Sequence, residues 1–238
     1  MISISNLNLG FRARTLLAEV STDFPQRCLT ALIGRNGTGK STLLRALAGL
    51  NNRYTGDILI DGSQLRDLGR PEMARRLAFV NTERTRIPNL RCRDVVAMGR
   101  APYTNWIGRL SENDALAVDD ALRAINMQDY ADRTMDRMSD GECQRIMIAR
   151  ALAQDTPNIL LDEPTSFLDL PNRYRLVELL GELAHSRNKC IIFSTHELDI
   201  ALRRTDRIAL LADCTLTNLT AEEMNESGLI PDKFGISL

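Results

Sequence analysis

Residues 34–42 have the types and the spacing of a phosphate-binding loop. They read Gly34-Arg35-Asn36-Gly37-Thr38-Gly39-Lys40-Ser41-Thr42 and satisfy the pattern G-x-x-x-x-G-K-[ST]. The glycines let the backbone curl, so that successive N–H groups and the positive end of a following helix converge on phosphate oxygens. Lys40 adds a positive charge for the β- and γ-phosphates, and the Ser41 hydroxyl can coordinate Mg²⁺. The pattern alone does not distinguish a kinase, a GTPase and a transport ATPase.

Two adjacent carboxylates follow an apolar run further along the chain. Asp162 and Glu163 come directly after Ile159-Leu160-Leu161, so they belong at the rim of a parallel sheet beside the phosphate-binding loop. Asp162 is predicted to hold Mg²⁺ through water, and Glu163 to orient or deprotonate the attacking water. The alternative is that both acids only cap the following turn. A paired Asp-Glu favours hydrolysis over kinase-type transfer.

The spacing of apolar residues predicts strands that alternate with helices. The predicted strands cover residues 2–9, 28–33, 57–60, 159–161 and 190–193, with two more within 75–81 and 207–211. Helical spacing follows the phosphate-binding loop and Pro171, and residues 82–154 form a helical insertion with a cap at Ser111-x-x-Asp114. This alternation implies an α/β fold with a mainly parallel sheet. We predict one domain over residues 1–238, with a core of residues 1–81 and 155–238 and a helical subdomain of residues 82–154.

The composition excludes several classes of protein. Thirty basic residues against 31 acidic ones give a net charge of −1, so we expect no nucleic-acid partner. Five cysteines occur without a C-x-x-C pair, which favours a reducing compartment. The chain has no leader-like N-terminus and no run of about 18 apolar residues, so we expect it neither to be exported nor to span a membrane. Another polypeptide would have to cross any membrane involved.

A family resemblance becomes specific at residues 138–145. Met138-Ser139-Asp140-Gly141-Glu142-Cys143-Gln144-Arg145 resembles the signature segment of ABC ATPases, which commonly reads L-S-G-G-Q. The resemblance implies ATP as the cofactor and a P-loop NTPase core with an N-terminal antiparallel β portion and an inserted helical subdomain. It also implies a head-to-tail homodimer, in which Ser139 and the Gly141 amide complete the nucleotide pocket of the opposite subunit at the start of a helix.

Other positions match motifs of the same family. Asp169, after Ser166-Phe167-Leu168, resembles the D-loop that joins the two active sites, and His196 resembles the switch histidine that senses the γ-phosphate. Phe11 matches the aromatic residue that stacks on adenine, although a phenylalanine there could equally belong to the core. Thr82 stands where the family usually has a glutamine that touches Mg²⁺, with Glu83 as the alternative ligand. Asp140 and Glu142 replace a glycine and a glutamine of the signature.

The helical insertion suggests which transporter is served. Val95-Val96-Ala97-Met98-Gly99-Arg100-Ala101-Pro102-Tyr103, with Trp106 and Gly108-Arg109-Leu110-Ser111, is similar to ATPases of importers for ferric siderophores, haem and cobalamin. This implies an integral membrane permease and, indirectly, a substrate-binding protein as partners, and a cytoplasmic position on the inner face of the cell membrane. Several arginines could meet acidic groups of the permease or form a solvated face: Arg84, Arg86, Arg91, Arg93 and Arg100. The alternatives are an importer of another solute, a soluble ABC protein acting on ribosomes or DNA, and a P-loop kinase.

Overall fold

The computed structural model describes residues 1–11, 14–82, 88–105 and 107–235. Glu83, Arg84, Arg86 and Trp106, which figure in the predictions above, lie outside these ranges. The strands are β1 (Ile2–Phe11), β2 (Arg14–Phe24), β3 (Cys28–Ile33), β4 (Tyr54–Ile60), β5 (Ser63–Gln64), β6 (Leu77–Val80), β7 (Asn158–Leu161), β8 (Cys190–Ser194), β9 (Arg207–Ala212) and β10 (Thr215–Thr220). The helices are α1 (Lys40–Leu47), α2 (Arg70–Arg76), α3 (Cys92–Ala97), α4 (Glu112–Ala124), α5 (Asp140–Ala153), α6 (Leu170–Ser186), α7 (Leu198–Arg204), α8 (Ala221–Glu226) and α9 (Leu229–Phe234).

The strands form two sheets. The first is antiparallel, in the order β2-β1-β4-β5, and the second has the order β10-β9-β3-β8-β7-β6. Every pair in the second sheet is parallel except β9 with β10. The predicted α/β class with a mainly parallel sheet and an N-terminal antiparallel portion is therefore confirmed.

The central strands of the second sheet are apolar because helices and the first sheet cover both of their faces. β3, β7 and β8 are buried along their whole length. In their register Leu32 lies beside Ser194 and Leu161 beside Phe193, so the carboxyl ends of the three strands meet at one edge. The three loops that leave this edge carry the phosphate-binding loop, the Asp162-Glu163 pair and His196.

Helix α1 packs between the two sheets. Its buried Leu43, Leu44 and Leu47 share a core with apolar residues of β1, β2 and β4 and with one face of β7 and β8. Burying each of these leucines contributes about 1.5–3 kcal/mol. The first turn of α1, which follows the phosphate-binding loop, is thereby fixed against both sheets.

Helices α3, α4 and α5, which follow β6 and precede β7 in the chain, pack against one another. The predicted cap of α4 is confirmed: the Asp114 amide donates to Ser111 Oγ at 3.2 Å, and the Ser111 amide donates to Asp114 Oδ2 at 2.9 Å. Arg100 Nε donates to the same carboxylate at 2.8 Å. Helix α3 ends at Ala97, and the chain continues into a 3-10 turn that begins at Met98, a residue that is 47% exposed.

Candidate active site

The phosphate-binding loop lies at the carboxyl end of β3 and leads directly into α1, as its sequence predicts. Gly34 lets the loop pass close to β9, since a Cβ there would lie 2.6 Å from the Leu211 carbonyl oxygen. Gly39 adopts φ +110°, a conformation that favours glycine, immediately before the helix. The Thr38 amide and hydroxyl both donate to the Arg35 carbonyl, at 3.2 and 2.9 Å. These constraints shape the turn that precedes the first helical amides.

The Lys40 side chain folds back and bonds to the start of the phosphate-binding loop. Its side chain is buried, and Nζ donates to the Gly34 carbonyl oxygen at 2.8 Å. Burial lowers the pKa of the Lys40 ammonium, while the negative charges of Glu163 and Asp162 oppose the shift. A buried lysine held beside two carboxylates adds positive charge at the start of α1, where an anion would also meet the helix dipole.

Asp162 is the point at which three segments of the site meet. Its buried carboxylate oxygen Oδ1 accepts hydrogen bonds from Ser41 Oγ at 2.9 Å and from Ser194 Oγ at 2.7 Å. The same Ser194 hydroxyl accepts from the Glu163 amide at 2.8 Å. We call Ser41, Asp162, Glu163 and Ser194 the hydroxyl–carboxylate cluster. It ties the loop after β3, the end of β7 and the end of β8 to one another.

Ser194 is a residue of the site that the motifs and their spacing did not single out. Its signal is a polar residue at the end of the apolar run of β8, where a side chain at the edge of a parallel sheet can reach the neighbouring strand.

Glu163 itself has φ +47°, which turns the chain sharply after β7. It also lines a cavity of about 280 Å³, whose walls are Phe11, Leu16, Asn36, Gly37, Gly39, Lys40, Ser41, Thr42 and Glu163.

The oxygen atoms in the cluster fit a hard divalent cation. Mg²⁺ prefers oxygen ligands and keeps several of its waters, so it is usually held by one or two protein groups together with substrate phosphates. The Ser41 hydroxyl and the Asp162 carboxylate supply two such groups 2.9 Å apart, at the mouth of the phosphate-binding loop. Thr82 lies next to them, but its Oγ1 donates to the Asp162 carbonyl oxygen at 3.0 Å. Its hydroxyl is thus engaged with the main chain.

The signature segment starts a helix but lies outside this cavity. Ser139 is the N-cap of α5 and forms a capping box with Glu142: the Ser139 amide donates to Glu142 Oε2 at 2.8 Å, and the Glu142 amide donates to Ser139 Oγ at 3.3 Å. Burial raises the pKa of the Glu142 carboxyl, but hydrogen bonds from Ser139 and Tyr130 and the charge of Arg145 together outweigh burial, so the net pKa is lowered. Gly141 lies close to the next loop, since a Cβ there would be 3.1 Å from the Phe167 carbonyl oxygen.

The remaining predicted residues lie at the surface around the same edge. Asp169 is exposed and caps α6, with Oδ1 accepting from the Asn172 amide at 3.3 Å. His196 is exposed directly after β8. Phe11 is 54% exposed at the end of β1 and lines the cavity, so its alternative reading as a core residue is wrong.

The fold and this edge define a P-loop nucleotide-binding protein. A family model described as ABC transporter matches residues 17–166. The probable siderophore transport system ATP-binding protein YusV of Bacillus subtilis (strain 168) is 37% identical over 212 residues, which cover 89% of this chain and 77% of the relative. The chain belongs to the ABC transporter family and is one of its ATPases.

Two solved structures have the same fold. An ABC transporter assigned to the metal-chelate type, in an inward-facing conformation, matches 99% of this chain and 89% of its own with a TM-score of 0.85 and 28% identity. A dimeric bacterial ABC transporter cassette matches 93% of this chain and 99% of its own, with a TM-score of 0.79 and 26% identity. Within the described ranges, no helix combines the length and the apolar character that crossing a bilayer requires.

Proposed function

We propose that this chain binds MgATP and hydrolyses it as one of two identical subunits that drive import of a metal chelate, with ferric siderophores as the first choice and haem or cobalamin as alternatives. The observation that carries the ATPase chemistry is the hydroxyl–carboxylate cluster beside Lys40. The substrate class is supported by similarity to a siderophore transport relative and to a metal-chelate type transporter. It also agrees with the resemblance of residues 95–111.

The roles of the residues follow from their positions. The loop amides and Lys40 bind the β- and γ-phosphates, Ser41 and Asp162 hold Mg²⁺, and Phe11 stacks on adenine. Mg²⁺ would supply positive charge to the phosphate oxygens during transfer. Glu163 orients or deprotonates the attacking water from the cavity wall, where its amide is fixed by Ser194.

Thr82 contributes indirectly in this proposal. Its hydroxyl holds the Asp162 carbonyl at 3.0 Å, so it steadies the end of β7 without replacing the reach of a glutamine amide. His196, at the end of β8, is placed to sense the γ-phosphate once the site is closed.

A second copy of the chain is needed to complete the site. Ser139 and Gly141 begin a helix, but they lie outside the cavity formed by the described residues of their own phosphate-binding loop. Their helix start, together with the exposed Asp169, would face the nucleotide of the partner subunit in a head-to-tail homodimer. Similarity to a dimeric ABC transporter cassette supports this arrangement.

The permease is expected to contact the helical subdomain of residues 82–154. Large apolar or aromatic side chains are exposed there: Met98, Tyr103, Ile107, Leu110 and Leu116. We expect some of these side chains to form the contact, because a contiguous exposed apolar patch is typical of a protein–protein interface. This contact would place the subunit at the cytoplasmic face of the membrane, with the permease providing the path and a separate binding protein delivering the chelate.

Turnover of the Glu163→Gln variant tests the chemistry. The amide keeps the size of the side chain but cannot accept a proton, so we expect ATP binding to persist while kcat falls by roughly 10² or more. Glu222→Gln, an exposed acid in the first turn of α8, is the matched control and should hydrolyse ATP like the wild type. Equal kcat for Glu163→Gln and wild type would reject the assigned role.

Transport is tested separately with the permease. Co-purification from native membranes should recover an integral membrane protein, and vesicles that contain the complex should accumulate a radiolabelled ferric siderophore when ATP is present. Accumulation of labelled cobalamin or haem instead would select the alternative substrate. Failure to recover any integral membrane protein would reject the importer assignment.

A further inference from the structure

Glu197 follows the predicted switch histidine, and its side chain faces inward. It is 13% exposed, and Oε1 accepts a hydrogen bond from Thr165 Oγ1 at 3.0 Å. The same oxygen forms an ion pair with Arg173 Nη1 at 3.2 Å. The Glu197 amide donates to Thr195 Oγ1 at 3.1 Å, which also fixes the backbone on the other side of His196. One carboxylate oxygen therefore joins three segments.

Arg173 connects this carboxylate to the loop that ends at Asp169. Its Nε donates to the Leu168 carbonyl oxygen at 2.7 Å, while Nη1 reaches Glu197. The Arg173 amide donates to the Asp169 carbonyl oxygen at 3.0 Å. A guanidinium can hold both partners in fixed directions because its donors lie in one plane.

The anchored loop begins at Glu163. The Ser166 amide and hydroxyl donate to the Glu163 carbonyl oxygen at 3.2 and 3.0 Å, and the Leu168 amide donates to the Thr165 carbonyl oxygen at 3.1 Å. Because Glu197 and Arg173 hold this loop at Thr165 and Leu168, a shift of either residue would move the loop relative to His196.

We propose that Arg173 and Glu197 are positioning residues for ATP hydrolysis. Their ion pair fixes the position of the segment from Glu163 to Asp169 relative to His196. The proposed water-activating Glu163, the proposed partner-facing Asp169 and the proposed phosphate sensor His196 therefore keep a constant arrangement. This inference rests on the proposed function of Glu163 and His196. Neither Arg173 nor Glu197 lines the cavity of the phosphate-binding loop, so they act through the loops and not on the nucleotide.

The structure offers a matched comparison for this ion pair. Arg204 and Glu178 also link α7 to α6, at 3.4 Å, but on an exposed helix surface where both side chains are 46% exposed. Removing that pair deletes an ion pair between α6 and α7 without touching the loops. Exposed pairs of this kind contribute about 0–1 kcal/mol to stability.

The test compares Arg173→Met, Glu197→Met and the double variant with Arg204→Met, using purified chain, MgATP and a nonhydrolysable triphosphate analogue. We expect each loop variant to lose about 10-fold or more in kcat, because small misplacements of catalytic groups are costly, with analogue affinity within about 2-fold of wild type. The double variant should be no slower than the slower single variant, since the two residues act as one unit. Arg204→Met should keep the wild-type kcat.

Glu197→Gln tests whether the loss of kcat in Glu197→Met comes from misplaced loops and not from a folding defect alone. Its amide oxygen can still accept from both Thr165 and Arg173, so it should recover most of the kcat that Glu197→Met loses. Wild-type kcat in Arg173→Met and Glu197→Met, or independent losses that multiply in the double variant, would overturn the proposal. Loss of analogue binding in parallel with kcat would do the same. Absence of turnover in the wild type, or full turnover in Glu163→Gln, would instead reject the proposed ATPase assignment.

Discussion

Replacement of Ser194 by alanine is the sharpest test of how the active site is held together. The hydroxyl donates to Asp162 at 2.7 Å and accepts from the Glu163 amide at 2.8 Å, and Ser194 is fully buried. Ser194→Ala leaves the amide of Glu163 without this acceptor and removes one of two hydroxyl donors to Asp162. A buried group left unsatisfied costs about 1–3 kcal/mol, and a hydrogen bond to a charged group contributes about 1.5–3 kcal/mol.

The expected loss of stability is therefore about 3 kcal/mol, since Ser41 still donates to Asp162 and compensates in part. For a chain of this length, 1 kcal/mol corresponds to about 2–4 °C in Tm, so Ser194→Ala should melt about 6–12 °C below the wild type. The same change loosens both carboxylates, and kcat should fall while nucleotide binding by the phosphate-binding loop persists. Thermal unfolding followed by circular dichroism, without nucleotide, measures the first effect.

Ser186→Ala is the control for this substitution. Ser186 also has a hydroxyl that donates a hydrogen bond, to the Glu182 carbonyl oxygen at 2.6 Å, but it lies on the exposed surface of α6. Surface substitutions of this kind change stability by about 0.5 kcal/mol or less, so its Tm should stay within about 2 °C of wild type. If both variants melt together near the wild type, the hydroxyl–carboxylate cluster does not hold the site and the reasoning fails.

Three further predictions concern the helical subdomain and the sheet-covering helix α6. Hydrogen bonds from Ser111 and from Arg100 lower the pKa of Asp114 from 3.8 to about 2, so its carboxylate stabilises the fold above pH 3.8 and ceases to do so as the pH falls towards 2. The difference in urea midpoint between wild type and Asp114→Asn should therefore shrink between pH 3.8 and pH 2. A constant difference would contradict this prediction. Gly99→Ala places a Cβ 2.2 Å from a backbone carbonyl oxygen of α5 and should lower the free energy of urea unfolding by about 1–3 kcal/mol. The control is Gly181→Ala inside α6, where the nearest atom lies 3.8 Å from the added Cβ, so this change should be neutral or stabilising. Glu142→Gln keeps the capping geometry and removes a negative charge beside the proposed γ-phosphate site. ATP-dependent dimerisation, measured by light scattering, should therefore become tighter. Weaker dimerisation would show that the Glu142 charge does not repel the nucleotide.

The parts of the site that could be predicted from the sequence are those encoded locally. The phosphate-binding loop, the Asp162-Glu163 pair, the cap at Ser111 and the helix start at Ser139 depend on residues within a few positions of one another. Backbone sterics and helix-end hydrogen bonds then determine their structure with little help from the rest of the chain. The structure places each of them as the spacing indicates.

The contacts that escaped sequence reasoning join segments far apart in the chain. Ser194 meets Asp162 only because β8 lies beside β7, and Glu197 meets Arg173 only because α7 packs on α6. Strand order in a parallel sheet depends on crossover connections, which leave no periodic signal in the strands themselves. The edge strand β2 was missed for a related reason: its register to β1 shifts at several points, so its apolar residues do not alternate regularly.

The site is divided between a buried half and an exposed half, and the proposed homodimer would account for this division. Lys40, Asp162 and Ser194 are buried at strand and helix ends that pack against the two hydrophobic cores, so the proposed phosphate and cation site is formed within a single chain. Ser139 and His196 are exposed, and exposed polar groups are screened by water until another surface excludes it. Under the proposed function, one chain would bind nucleotide, and the charge stabilisation that hydrolysis requires would become strong only when a second chain covers the exposed half. In the proposed importer, ATP binding would in this way be coupled to the closing of two subunits, a movement that a permease can use.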